Sequence, residues 1–445
     1  MKHSRLFSTS SRSVLLGLAV LIGGLLTGGA AQAQLLPIEQ LGKSIFFDQD
    51  LSINRNQSCA SCHDPAWGFT GPIESINAAG SVYEGSIPGR FGNRKPPSSA
   101  YASRSPVLFF IDEKDNNENK TEILFIGGNF WDGRATGEKL GNPAADQAQG
   151  PFLNPVEQAL PDNACVVHRV CTASYPTNYQ DVFGPDDCDI AWPQDIETVC
   201  ATPGTTVALS EEDRGSVDMA YNSIALAIGR YEDSTEVTAF SSKYDAYLRG
   251  EVKLTKQERQ GLALFRGKGR CDNCHILDEG PGGEPPLLTD NTYDNLGVPR
   301  NPDNPWYTSS FNPDGADWVD AGLGGFLNTR PEYAEFAAEN YGKQRVPTLR
   351  NVAASPFPGA DKAFTHNGYF KSLETVVHFY NTRDLKPACP DPLTPEAAAL
   401  QADCWPAPEV EDNVNTEELG NLHMTDAQEK AIVAFLATLS DGYTP

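Results

Sequence analysis

Cys59-Ala60-Ser61-Cys62-His63 and Cys271-Asp272-Asn273-Cys274-His275 are two copies of one C-x-x-C-H run. The spacing lets two thiols form thioethers with the vinyl groups of a haem while the adjacent imidazole reaches the iron from the same side. A zinc knuckle would gather its four ligands near one another, and a redox dithiol needs no following histidine. The pair therefore predicts two covalently bound haem c groups. One is held by Cys59 and Cys62 with His63 as iron ligand, the other by Cys271 and Cys274 with His275.

Elements that could position these motifs precede each of them. Leu41, Ile45 and Phe46 share one face of a short helix before the first motif. Thr255-Lys256-Gln257-Glu258 is a capping box that opens a helix carrying Leu262 and Phe265 before the second. Each half also closes on an amphipathic helix, through Val217, Tyr221, Ile224, Ile228 and Tyr231, and through Ile432, Phe435 and Leu439 after a Thr425 cap. These faces read as core. The expected fold is mostly α, with two cytochrome c-like haem domains, 34–245 and 246–445, related as a weak internal repeat. Stretches rich in Pro, Gly, Asn and Asp, such as 72–99, 111–120, 278–317 and 386–412, read as long loops, and no strand pattern predicts a sheet.

Lys2, Arg5 and Arg12 precede an apolar run from Val14 to Leu26 and an Ala31-Gln32-Ala33 cleavage pattern, so 1–33 reads as a signal peptide. That run is short for a membrane span and none follows it, which predicts an exported, periplasmic protein with no membrane span after cleavage. The formal charge of −25, or −28 without those three cations, argues against nucleic acid or an anionic membrane and suits a basic or neutral partner. Solubility alone accounts for the charge equally well. Six of the ten cysteines lie outside the haem motifs, which predicts three disulfides in an oxidising compartment. Cys389 and Cys404 stand alone in a Pro-rich stretch and are expected to pair; the pairing of Cys165, Cys171, Cys188 and Cys200 is open.

Further motifs carry a resemblance. Leu41-Gly42-Lys43, Ser58 to His63, Gly68-Phe69-Thr70, Phe130-Trp131-Asp132-Gly133-Arg134, Gln147 with Gly150-Pro151, and Asn154-Pro155-Val156-Glu157 run in order through the first half. Arg345 to Asn351, Phe364-Thr365-His366-Asn367-Gly368 and Leu373 to Asn381 follow in the second. In these motifs the chain resembles the bacterial di-haem cytochrome c peroxidase and MauG family. The resemblance implies an oxidoreductase that consumes hydrogen peroxide with electrons from a cytochrome c or another redox protein. Peroxide-dependent oxidation of a partner protein's side chains, as in MauG, is one alternative, and a plain di-haem electron carrier is another.

The resemblance also assigns roles. Glu157 matches the family's catalytic acid/base, although Asn154, Pro155 and Glu157 alone would spell an ordinary helix start, with Asn154 as N-cap. Gln147 matches a distal-pocket residue, and Trp131 a relay between the haems. No His occurs from Asp64 to Phe130, where family peroxidases often carry a removable ligand, so the first iron is expected to be five-coordinate. Opposite His275 the family places Met or, in MauG, Tyr; the matching position is Tyr380, with His378 and Met424 as rivals. Arg134, Arg350 and His366 are candidates for haem propionates or for bracing the interface. Calcium, which the family often holds with an Asn just after an Arg, is disfavoured because Lys95 follows Arg94.

Overall fold

A computed structural model describes residues 34–114 and 121–445, so the expected signal peptide lies outside the described residues. The helix Pro37–Phe47 begins on a proline, which a first helical turn tolerates, and buries Leu41, Ile45 and Phe46. It packs against the long helix Glu211–Glu232, whose buried stripe holds Val217, Tyr221, Ile224, Ile228 and Tyr231. The crossing point is Gly42: a β-carbon there would lie 1.9 Å from the Ala227 carbonyl oxygen.

The second half repeats this arrangement. The helix Lys256–Arg266 is opened by the expected capping box, with Thr255 Oγ1 accepting from the Glu258 N–H. It packs on the helix Asp426–Leu436, and a β-carbon on Gly261 would lie 1.9 Å from the Ala431 carbonyl oxygen. Only hydrogen at these two positions lets the helix backbones approach so closely. One hydrophobic cluster runs from Leu41 to Val237 and another from Tyr244 to Leu439. The regular structure of the described residues is mostly helical, and none of these helices is long and apolar enough to cross a membrane.

Two expectations fail. Phe109–Lys114 pairs antiparallel with Thr121–Ile126, and Tyr293–Asp294 with Gln344–Arg345, where no sheet was expected and 111–120 read as loop. The first hairpin is held by tertiary packing: Phe110 and Phe125 face each other and meet Tyr333 and Phe336, residues more than two hundred positions away. Second, Asn154 does not start a helix. It ends the helix Pro143–Leu153, and its side chain accepts from the Val156 N–H at 3.2 Å within a turn. An Asn-Pro start signal stands at each end of this helix, and the chain uses the earlier copy, where Asn142 Oδ1 accepts from the Ala144 and Ala145 N–H groups.

Three disulfides form, Cys165–Cys200, Cys171–Cys188 and the expected Cys389–Cys404. They fasten the segments 161–205 and 387–405. The four cysteines of the C-x-x-C-H runs take no part in these disulfides.

Candidate active site: two adjacent cavities

Each C-x-x-C-H run makes a single 3₁₀ turn, Cys59–Ser61 and Cys271–Asn273, and the histidine N–H closes onto the first cysteine's carbonyl, at 3.0 Å for His63 and 2.9 Å for His275. Both thiols and the imidazole of each run therefore face one cavity. His63 Nδ1 lies 3.1 Å from the Phe69 carbonyl oxygen and His275 Nδ1 lies 2.9 Å from that of Leu288. Such contacts fix Nδ1 as the protonated nitrogen and leave Nε2 with a free lone pair. Burial pushes both imidazoles down to about 4, so each is neutral near pH 7.

The first cavity encloses about 510 Å³ and is lined by Cys59, Cys62, His63, Gln147, Trp131, Arg134 and Glu157. Gln147 and Pro151 project from one face of the helix Pro143–Leu153, and the turn after it delivers Glu157 to the same wall. Burial raises the Glu157 carboxyl above its ordinary range, and the Arg134 charge and an Asn154 hydrogen bond only partly offset this. No methionine and no second histidine lines this cavity among the described residues. Its two tyrosines are engaged elsewhere, Tyr83 with the Ile73 N–H and Tyr101 with Asp441.

The second cavity, about 180 Å³, is lined by Cys271, Cys274, His275 and Tyr380. Tyr380 extends into it from the helix Leu373–Thr382 beside Val376 and Val377. The rivals do not reach it. His378 turns to Glu429, 3.1 Å away, and Met424 packs in the hydrophobic cluster behind. Burial raises the Tyr380 phenol strongly.

Trp131, Arg345 and Pro347 line both cavities. Trp131 is the aromatic member of this shared wall. His366 lines the second cavity, 3.7 Å from Glu409 and 4.0 Å from Asp320. Arg350 lines neither cavity. Its guanidinium makes a buried double contact with Asp245, at 3.0 and 2.9 Å, and a third with the Pro286 carbonyl, so it braces the structure.

A family profile described as di-haem cytochrome c peroxidase matches residues 37–253. The methylamine utilization protein MauG of Paracoccus denitrificans is 34% identical over 427 residues, covering 95% of this chain and 94% of that one. The chain belongs to the di-haem cytochrome c peroxidase family. The cytochrome c551 peroxidase of Pseudomonas aeruginosa is 27% identical over 84% of this chain and 80% of its own length. Among solved structures, the diheme peroxidase BthA from Burkholderia thailandensis superposes with a TM-score of 0.66 at 29% identity, covering 92% of this chain and 87% of that one.

Membership in the di-haem cytochrome c peroxidase family makes the protein a haem enzyme, and the cavity walls fit that cofactor. Several buried polar donors in them have no protein partner: Gln344 Nε2 and Arg345 Nε at the second cavity, Ser99 Oγ and Trp306 Nε1 at the first. Buried groups left unpaired this way are costly unless something else satisfies them, and a haem's carboxylates would do so. The reading of motifs missed Gln344, Trp306 and Glu232. Glu232 is 2% exposed, lines the first cavity, leaves Oε2 unpaired and is pushed up to about 8 by burial. In sequence it is only the last residue of an amphipathic helix, and no spacing marks it.

Proposed function

We propose that the protein is an exported, periplasmic di-haem c-type peroxidase whose first haem domain, 34–245, reduces hydrogen peroxide and whose second, 246–445, receives electrons from a cytochrome c or similar donor. Cys59, Cys62 and His63 would hold one haem, and Cys271, Cys274, His275 and Tyr380 the other, the cysteines through thioethers. Bound haem supplies the redox-active iron that takes electrons from the donor and passes them to peroxide. The observation that carries the reading is the asymmetry of the two cavities. The first presents one imidazole opposite a wall bearing Glu157 and Gln147; the second presents an imidazole and the Tyr380 phenol.

The chain's own residues then divide the work. Reduction of peroxide to two waters needs two electrons and two protons, and a proton must move to the departing oxygen. A raised carboxyl at Glu157 can take a proton from one peroxide oxygen and return it to the other. Gln147, with both a donor and an acceptor, orients the oxidant. Trp131, pinned in the shared wall, relays electrons between the cavities. Lys95, whose ammonium is buried against Thr70 Oγ1 and the Pro96 carbonyl beside Arg94, disfavours calcium at that position.

A second reading, peroxide-dependent oxidation of a partner protein, is favoured by Tyr380 at the second cavity and by the relative named MauG. Low-temperature EPR of the diferric protein, followed by peroxide turnover with reduced cytochrome c, tests both. One high-spin and one low-spin haem with rapid turnover supports the peroxidase. The same spectrum with negligible turnover and modified co-expressed partners supports the second reading. Two low-spin haems inert to peroxide would leave only an electron carrier.

A further inference from the structure

Within the segment 305–318, Trp306, Tyr307 and Trp318 are aromatic side chains that the proposed reaction does not use. Trp306 lines the first cavity. Its ring lies 6.2 Å, centroid to centroid, from that of Trp318, which lies 6.0 Å from Tyr307. The Tyr307 hydroxyl donates to Glu409 Oε1 at 3.3 Å, and the buried Glu409 belongs to the wall of the second cavity. The Arg300 guanidinium sits 3.6 Å from the centre of the Tyr307 ring. Trp306 borders the cavity, and Trp318 and Tyr307, which do not, are half-buried and keep part of their surface in solvent.

We propose that Trp306, Trp318 and Tyr307 carry oxidising equivalents out of the first cavity to the surface, with Tyr307 as the residue oxidised and Glu409 as its proton acceptor. The proposal rests on the peroxidase reading, because peroxide supplies the oxidant. One electron leaves the Tyr307 phenol, passes through Trp318 and Trp306, and consumes one of the two equivalents that peroxide brings. The phenolic proton moves to the Glu409 carboxylate, and a neutral tyrosyl radical remains. An exposed one-electron reductant of the phenol or enediol class restores the tyrosine by returning the electron, while Glu409 returns the proton.

Electrostatics favour this coupled course. Burial raises the Tyr307 phenol first, and the Glu409 charge raises it further, so no phenolate exists in advance. An electron lost alone would leave a radical cation against Arg300, at a distance where like charges repel strongly in a partly desolvated site. Losing the proton to Glu409 at the same time leaves the ring uncharged, and the hydrogen bond that takes the proton is already formed. Aromatic rings about 6 Å apart are close enough for edge contact, which keeps each electron hop short.

The test is freeze-quench EPR of the holoprotein mixed with peroxide in the absence of donor. A tyrosyl signal that narrows with ring-deuterated tyrosine is expected. Tyr307→Phe should abolish it while peroxide turnover with reduced cytochrome c stays within twofold of the parent, and Trp318→Phe should slow its appearance at least tenfold. The same signal in Tyr307→Phe, or normal turnover with no tyrosyl signal in the parent, overturns the proposal alone. A parent protein that consumes no peroxide overturns the peroxidase reading as well, and failure to oxidise reduced cytochrome c distinguishes that case.

Discussion

The indole N–H of Trp131 donates to the carbonyl oxygen of Lys95 at 2.9 Å. At its other end the Trp131 carbonyl accepts from the Arg345 N–H at 2.8 Å, so a ring shared by both cavities is pinned by a segment from each half. Trp131→Phe keeps a ring but loses the donor. Peroxide turnover with reduced cytochrome c should fall roughly tenfold or more, equivalent to at least about 1.4 kcal/mol of barrier. Absorbance spectra should show both haems still bound.

Glu157→Gln preserves the size of the side chain and removes the proton carrier. Loss of a positioned acid/base should lower kcat/KM for peroxide by roughly 10²- to 10⁴-fold. The thermal midpoint should move little, because the helix ahead is capped by Asn142 and not by this turn. An unchanged rate would remove Glu157 from the mechanism.

Tyr380→Phe separates the three ligand candidates. If the phenol is the axial ligand, the low-spin EPR signal of the second haem should be replaced by a high-spin one. His378→Ala and Met424→Leu should leave that signal in place, since neither side chain lines the cavity.

Gly42→Ala and Gly261→Ala each place a methyl group 1.9 Å from a backbone carbonyl oxygen of the facing helix. Backbone cannot rotate away as a side chain can, so each variant should lose at least about 1 to 3 kcal/mol in denaturant titrations. Equal damage in both halves is expected.

Glu232 gives a pH dependence with a definite sign. Its folded carboxyl is raised to about 8, so from its ordinary range up to about 8 the folded state holds a proton that the unfolded chain has released. Stability should therefore fall as pH rises through that window, with a slope of at most about 1.4 kcal/mol per pH unit, and level off above it. Glu232→Gln should flatten this part of the curve. A curve unchanged by the substitution would show that Glu232 is ionised at neutral pH in the folded protein.

Cofactor chemistry and helical scaffold were legible in the sequence because their signals are local. C-x-x-C-H is a five-residue motif that folds into one turn, and its geometry recurs at His63 and His275 whatever surrounds it. The Thr255 box and the apolar stripe from Val217 to Tyr231 likewise depend only on spacing along one helix. Asn154-Pro155 shows the limit of such signals: two competing start sites are equivalent in sequence, and packing chose Asn142.

What the tertiary structure decided was which distant groups share a wall. Trp131 and Arg345 border both cavities, Tyr380 enters one while His378 turns away, and Arg350 is taken by Asp245, more than a hundred residues distant. The Phe110–Phe125 hairpin and the buried Glu232 carboxyl, with Oε2 unpaired, belong to the same class. Burial and long-range pairing fix the protonation and orientation of these side chains, and neither quantity exists until the chain has closed on itself.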